Sequence, residues 1–199
     1  LEDFFDQPVK TYSSGYFGKF QTSFKHFGDF KTPNYHLTNS GMQNLNASFR
    51  FGYNSFEKGF EAYYSVVNNN FGILQLSHIG NVNDLVQAIN SPEPRNTGGF
   101  SYKIENPKQI ILHHLAKIEA YKRYKGFGKL TVKYDLQINR RKEFDTRRGD
   151  LKNTPVIDLR LFTTSIQPDL QIDYIEDFGI NTGLLVRYHQ NDAVSGTCA

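Results

Sequence analysis

QIILHHLAKIEAYKRYKGFGKLTVKYDLQIN, residues Gln109–Asn139, divides at its glycines into two alternating halves. In the second half Leu130, Val132, Tyr134, Leu136 and Ile138 share one face, and Lys129, Thr131, Lys133, Asp135, Gln137 and Asn139 share the other. A strict period of two is the pattern of a strand, because successive side chains point to opposite sides. The first half repeats it, with Leu112, Ala116, Ile118, Ala120 and Tyr124 opposed to His113, Lys117, Glu119, Tyr121 and Arg123. His114 and Lys122 are the exceptions on the apolar side. The glycines of YKGFG supply the turn. Charge then selects a register: with Tyr124 opposite Gly128, Lys117 meets Asp135 and Glu119 meets Lys133, whereas a shift by two sets Glu119 against Asp135.

The same alternation recurs on both sides of this hairpin. A first strand, roughly Lys10 to Phe27, opposes Tyr12, Tyr16, Phe20 and Phe24 to Ser13, Lys19, Gln21, Ser23 and Lys25. A second, about Met42 to Asn54, sets Leu45, Ala47, Phe49, Phe51 and Tyr53 against Asn44, Asn46, Ser48 and Arg50. In a third, Phe60, Ala62, Tyr64 and Val66 oppose Glu61, Ser65 and Asn69. A sixth, about Val156 to Tyr174, starts with Ile157, Leu159 and Leu161 apolar and ends with Leu170, Ile172 and Tyr174. That change of parity predicts a bulge between Thr163 and Pro168. The seventh opposes Ile180, Thr182, Leu184, Val186 and Tyr188 to Asn181, Arg187 and His189. One helical signal, Asn81 to Asn90, places Val82, Leu85, Val86 and Ile89 on one stripe, with Asn81 or Asn83 as its N-cap.

The apolar content resides in 17 Phe and 12 Tyr, without Trp and with one Met, residue types that favour strands and membrane interfaces. No segment approaches the roughly 20 apolar residues of a transmembrane helix, but half of every membrane-barrel strand faces a wet lumen and is polar. The connections run long, short, long, short, long, short, the order in which outer-membrane barrels place loops outside and turns in the periplasm. These features predict an all-β chain of about seven antiparallel transmembrane barrel strands, with one short helix in a long external loop. A net charge of +3 is too mild to imply nucleic acid. Cys198, the single cysteine, has no internal partner and is given no role.

Four stretches carry a resemblance to a known family: HHLAKIEAY, NRRKEFDTRRG with its loop, PVIDLRLFTTS, and YHQNDAVSGT. GDFKTPNYHLTNSG and FGILQLSHIGNVNDL add to it. Over most of its length the chain resembles the mid-barrel region of TonB-dependent outer-membrane receptors, particularly those of the Bacteroidetes type. The resemblance implies a 22-stranded barrel closed by an N-terminal plug, importing iron chelates such as siderophores, or other large nutrients, with energy from an inner-membrane TonB complex. Against that pattern the chain has about seven strands, no plug, no TonB box and no terminal aromatic strand. Residues 1–199 are therefore expected to be a partial barrel from the first half or middle, since an open sheet leaves two unpaired edges in lipid.

Lumen-side residues near the external strand ends are the candidates for ligand contact: His113, Asn139, Arg141, Asp158, Arg160, Arg187 and His189. The basic loop with Arg140, Arg141, Lys142, Arg147, Arg148 and Lys152 suits lipopolysaccharide phosphates or an anionic chelate. Glu143, Asp145 and Asp150 compensate it as a solvated loop. Neighbouring His113 and His114 point to opposite faces, so no shared metal ion is expected. No cofactor is implied, and no nucleophile elbow, phosphate-binding glycine loop or HExxH motif suggests catalysis. The expected partners are outer-membrane lipid, lipopolysaccharide, the TonB complex through the missing plug, and a small nutrient ligand. Two other readings compete: a soluble all-β carbohydrate-binding module, and a small eight-stranded barrel acting structurally or as an adhesin.

Overall fold

The computed structural model describes residues 14–74, 82–92, 97–146, 149–175 and 178–195. The chain is all-β with one isolated helix. Its long strands are β1 (Gly15–Phe27), β4 (Met42–Asn54), β5 (Lys58–Gly72), β7 (Lys108–Tyr124), β8 (Gly128–Phe144) and β9 (Ile157–Ile175). Two further segments, β10 (Phe178–Gly183) and β11 (Val186–Ser195), both pair with β9. All neighbours are antiparallel, in the order β1-β4-β5-β7-β8-β9 and then β10–β11. Each strand therefore lies beside its predecessor in the chain. Three two-residue strands, β2 (Phe30–Lys31), β3 (His36–Leu37) and β6 (Thr97–Gly98), form a separate small sheet in the loops. Helix α1 covers Val82–Asn90. The expected strand start at Lys10 with Tyr12, the N-cap Asn81, Arg147, Arg148 and Cys198 lie outside the described residues.

The central hairpin adopts the register that charge selects: Tyr124 faces Gly128, Lys117 faces Asp135 and Glu119 faces Lys133. Its turn closes with Phe127 N–H donating to the Tyr124 carbonyl at 3.1 Å, and Gly126 takes φ +69°, a left-handed value that glycine accepts without strain. The connecting turn at 55–57 lies at the same end, joined to it by Arg123 N–H donating to the Glu57 carbonyl at 2.7 Å.

Register carries one apolar face across the whole sheet. Phe20 faces Phe49, Phe49 faces Tyr64, Tyr64 faces Ala116, Ala116 faces Leu136, and Leu136 faces Thr164. Among the described residues nothing covers this face: no aliphatic or aromatic side chain other than the loop residue Pro107 is buried, and Phe20 stays 69% and Ile118 53% exposed. A globular domain of this length would hide such residues in a core. The sheet also stays open, because among the described residues β1 pairs only with β4, and β10 and β11 only with β9.

The predicted bulge in the sixth strand is absent. β9 runs against β8 without a register shift from Ile157 opposite Glu143 to Ile172 opposite Gly128. Phe162, Ile166, Leu170 and Ile172 therefore share the apolar face, and Ile157, Leu159 and Leu161 fall on the polar face. The irregularity appears instead in the neighbouring strand. Leu184 N–H donates to the Pro168 carbonyl at 3.1 Å, but Pro168 has no N–H to return, so pairing lapses at Leu184–Leu185 and resumes in the same register at Val186.

Candidate functional site

The polar face divides into two halves. Towards the short turns it is an ion lattice: Arg50 pairs with Glu61 at 2.5 Å, Lys117 with Asp135 at 3.7 Å, and Lys133 with Asp169 at 3.0 Å. Ser165 donates to Asp135 at 3.1 Å, and Gln167 to Asp169 at 3.0 Å. Lys133, opposite Glu119 by register, thus makes its close contact diagonally, with Asp169. Each of the ion-paired side chains is part-exposed, so single pairs contribute little; the lattice gives the wall its alternating sign.

Two glycines at this end sit beneath rings. A Cβ on Gly52 would come within 2.6 Å of the Phe17 ring, and one on Gly59 within 2.5 Å of the Tyr121 ring. Phe17 is the register partner of Gly52, and Tyr121 that of Gly59. Each ring lies flat over the position that lacks a side chain and supplies the packing a strand glycine forgoes. Arg50 caps Phe17 at 5.8 Å and Lys129 caps Tyr121 at 4.4 Å.

Towards the long loops the polar face changes character. Val67, Ile111, Leu115, Ile157, Leu159 and Leu161 alternate with hydrogen-bonding groups. His113 Nδ1 lies 3.2 Å from Asn139 Nδ2, and His189 Nδ1 lies 2.9 Å from Thr163 Oγ1. Arg141 donates to Glu143, which also accepts from Gln109 at 2.8 Å. This half offers apolar contact together with neutral and cationic donors, the requirements of an amphiphilic ligand.

Five of the seven expected contact residues lie on this face: His113, Asn139 and Arg141 on adjoining strands, and Arg187 and His189 on β11. Asp158 and Arg160 do not. Because β9 keeps its register, they are level with Lys142 and Arg140 on the apolar face, Arg160 one row and Asp158 two rows beyond Ile138 and Phe162. The leucines and isoleucine of β9 take their places on the polar face. The sequence signal for this exchange is Phe162-x-x-x-Ile166, even-numbered like Leu170 and Ile172.

The loop bases form a compact polar knot. Asn39, 3% exposed at φ +62°, donates from Nδ2 to the carbonyls of Ile73 and Pro107, both at 2.8 Å, and accepts Glu105 N–H at 2.8 Å. Buried Asp29 accepts Ser40 N–H at 3.0 Å while its own N–H donates to the Ser101 carbonyl at 2.9 Å. Beside the knot, the Lys103 ammonium donates to Glu105, which holds that carboxyl below the usual range and raises the amine.

No group of three or more His, Cys, Asp or Glu side chains among the described residues is arranged to hold a metal ion. Comparison with protein-family models, with curated proteins and with solved structures returns no match.

Proposed function

We propose that this chain is a section of wall from a large outer-membrane β-barrel, of the TonB-dependent receptor type, that imports a nutrient such as a ferric chelate. The supporting observation is the uncovered apolar face, with no aliphatic or aromatic side chain other than Pro107 buried among the described residues. Its extent suits a bilayer. From Phe162 to Ile172 β9 advances ten residues, about 34 Å at about 3.4 Å each, and a tilt of about 45° reduces this to about 24 Å. Charge bounds the band, with Lys122 towards the short turns and Arg140, Lys142, Asp158 and Arg160 towards the long loops.

Tyr16, Phe51, Tyr53 and Phe60 cluster near the short turns, with Tyr16 and Tyr53 centroids 4.9 Å apart, as an interfacial aromatic girdle would. In this reading the missing strands of a 22-stranded barrel pair with β1 and β11, and a plug occupies the lumen. The ligand meets the mixed half of the polar face on its way in. A sandwich reading lacks the second layer that would cover Phe20, Phe49 and Ile118.

The test is fractionation followed by uptake. The protein should stay with outer membranes through an alkaline wash, and cells lacking its gene should lose energy-dependent accumulation of a ferric chelate. Recovery as a soluble monomer without detergent would overturn the membrane reading. Unchanged uptake of chelates would overturn the cargo assignment alone.

A further inference from the structure

We propose that Arg140, Lys142 and Arg160, gathered around Asp158 on the apolar-face side of β8 and β9, bind the phosphate headgroup of an outer-leaflet lipid; this rests on the membrane reading above. Register sets Arg140 directly opposite Arg160, and Lys142 opposite Asp158, all on one side of the sheet. Like charges in a directly opposed pair repel. Asp158 compensates part of this, accepting Arg140 Nε at 2.9 Å and Nη2 at 2.6 Å in a bidentate contact. Across β9's other edge, Asp192 stands opposite Arg160 but accepts both contacts of Gln190 Nε2, at 3.2 and 3.1 Å. Three cations therefore face two carboxylates, one of which is already engaged by a neighbour on its own strand.

A phosphate group would offset this excess of positive charge, since its oxygens match the guanidinium fork of Arg160 and accept from an ammonium such as that of Lys142. The location selects a lipid over free phosphate. The cluster occupies the first and second rows beyond Ile138 and Phe162, so a headgroup bound here keeps its acyl chains against the apolar rows below. It also lies at the long-loop end, which is the outer leaflet in this orientation.

The test uses the complete barrel to which this chain contributes its strands, in vesicles of phosphatidylcholine alone or mixed with lipid A, with native mass spectrometry counting lipid A retained on the released protein. Lys142→Gln/Arg160→Gln leaves the Arg140–Asp158 pair intact and should lower lipid A affinity about 25-fold, about fivefold per cation. Lys19→Gln, on the opposite face, should change nothing. Inorganic phosphate at the lipid's concentration should not displace it. Equal retention by the double variant, equal loss in Lys19→Gln, or displacement by phosphate would each overturn the site. Flotation with vesicles lacking lipid A reports insertion separately: failure to float overturns the membrane reading, whereas flotation with unchanged lipid A retention overturns only this proposal.

Discussion

Asn39 Nδ2 donates to the carbonyl of Pro107 at 2.8 Å, joining the base of the first long loop to the end of the second, 68 residues further along the chain. The same side-chain amide also satisfies Ile73 and Glu105, so one residue fixes three backbone segments at the mouth of the sheet. Asn39→Ala removes the side-chain partner of the Ile73 carbonyl and of Glu105 N–H, leaves the Pro107 carbonyl with only Ile73 N–H at 2.9 Å, and puts alanine at a left-handed φ. It should cost about 2 to 3 kcal/mol. Asn39→Asp keeps the acceptor for Glu105 N–H and should lie between. Amide exchange at Glu105 checks both, rising sharply in the alanine variant and less in the aspartate variant.

The two faces of β8 should respond differently to arginine. Leu136→Arg, level with Tyr64, Phe49 and Phe20 inside the apolar band, should cost about 2 to 4 kcal/mol in the membrane, and Lys133→Arg, which keeps a cation beside Asp169, close to nothing. Denaturant titration in detergent-free vesicles measures both. Equal tolerance would remove the assignment of faces.

Gly59 and Tyr121 should be coupled. Gly59→Ala alone drives a methyl into the Tyr121 ring, whereas in a Tyr121→Ala background the space is open. A double-mutant cycle should return a coupling of about 1 to 3 kcal/mol, with the alanine at Gly59 harmful only while the ring is present. Additive costs would mean that the ring does not rest on the glycine.

Pro168→Val supplies the N–H that β10–β11 lacks. The pairing at Leu184 should become continuous, with a gain of about 0.5 to 1.5 kcal/mol and a protected amide at residue 168. An unprotected amide there would show that the lapse has another cause.

The hairpin from Gln109 to Asn139 was legible because two independent signals agreed on it: the period of two fixed the faces, and Lys117, Glu119, Lys133 and Asp135 fixed the register; the extension of β8 through Arg140–Phe144 was not, because that charged run reads as a loop. α1 and the bounds of β4 were read for similar reasons. β9 was misread because Ile157, Leu159 and Leu161 imitate a lipid-facing run. Only pairing with β8 shows that the even positions, begun by Phe162, own that face. That single parity error placed Asp158 and Arg160 in the expected ligand set and hid the apolar part of the polar face. The Asn39 and Asp29 knot left no periodic trace, since it depends on backbone groups far apart in sequence that side-chain patterns do not report.

Single cysteines placed in turn at positions 130–138, in a Cys198→Ser background and labelled with a fluorophore in vesicles, test the central claim most directly. Brominated lipid should quench Leu130, Val132, Tyr134, Leu136 and Ile138 positions, and a water-soluble quencher the alternate ones, in an unbroken period of two. Uniform quenching from water, or lipid quenching at Lys133 and Asp135 positions, would contradict it.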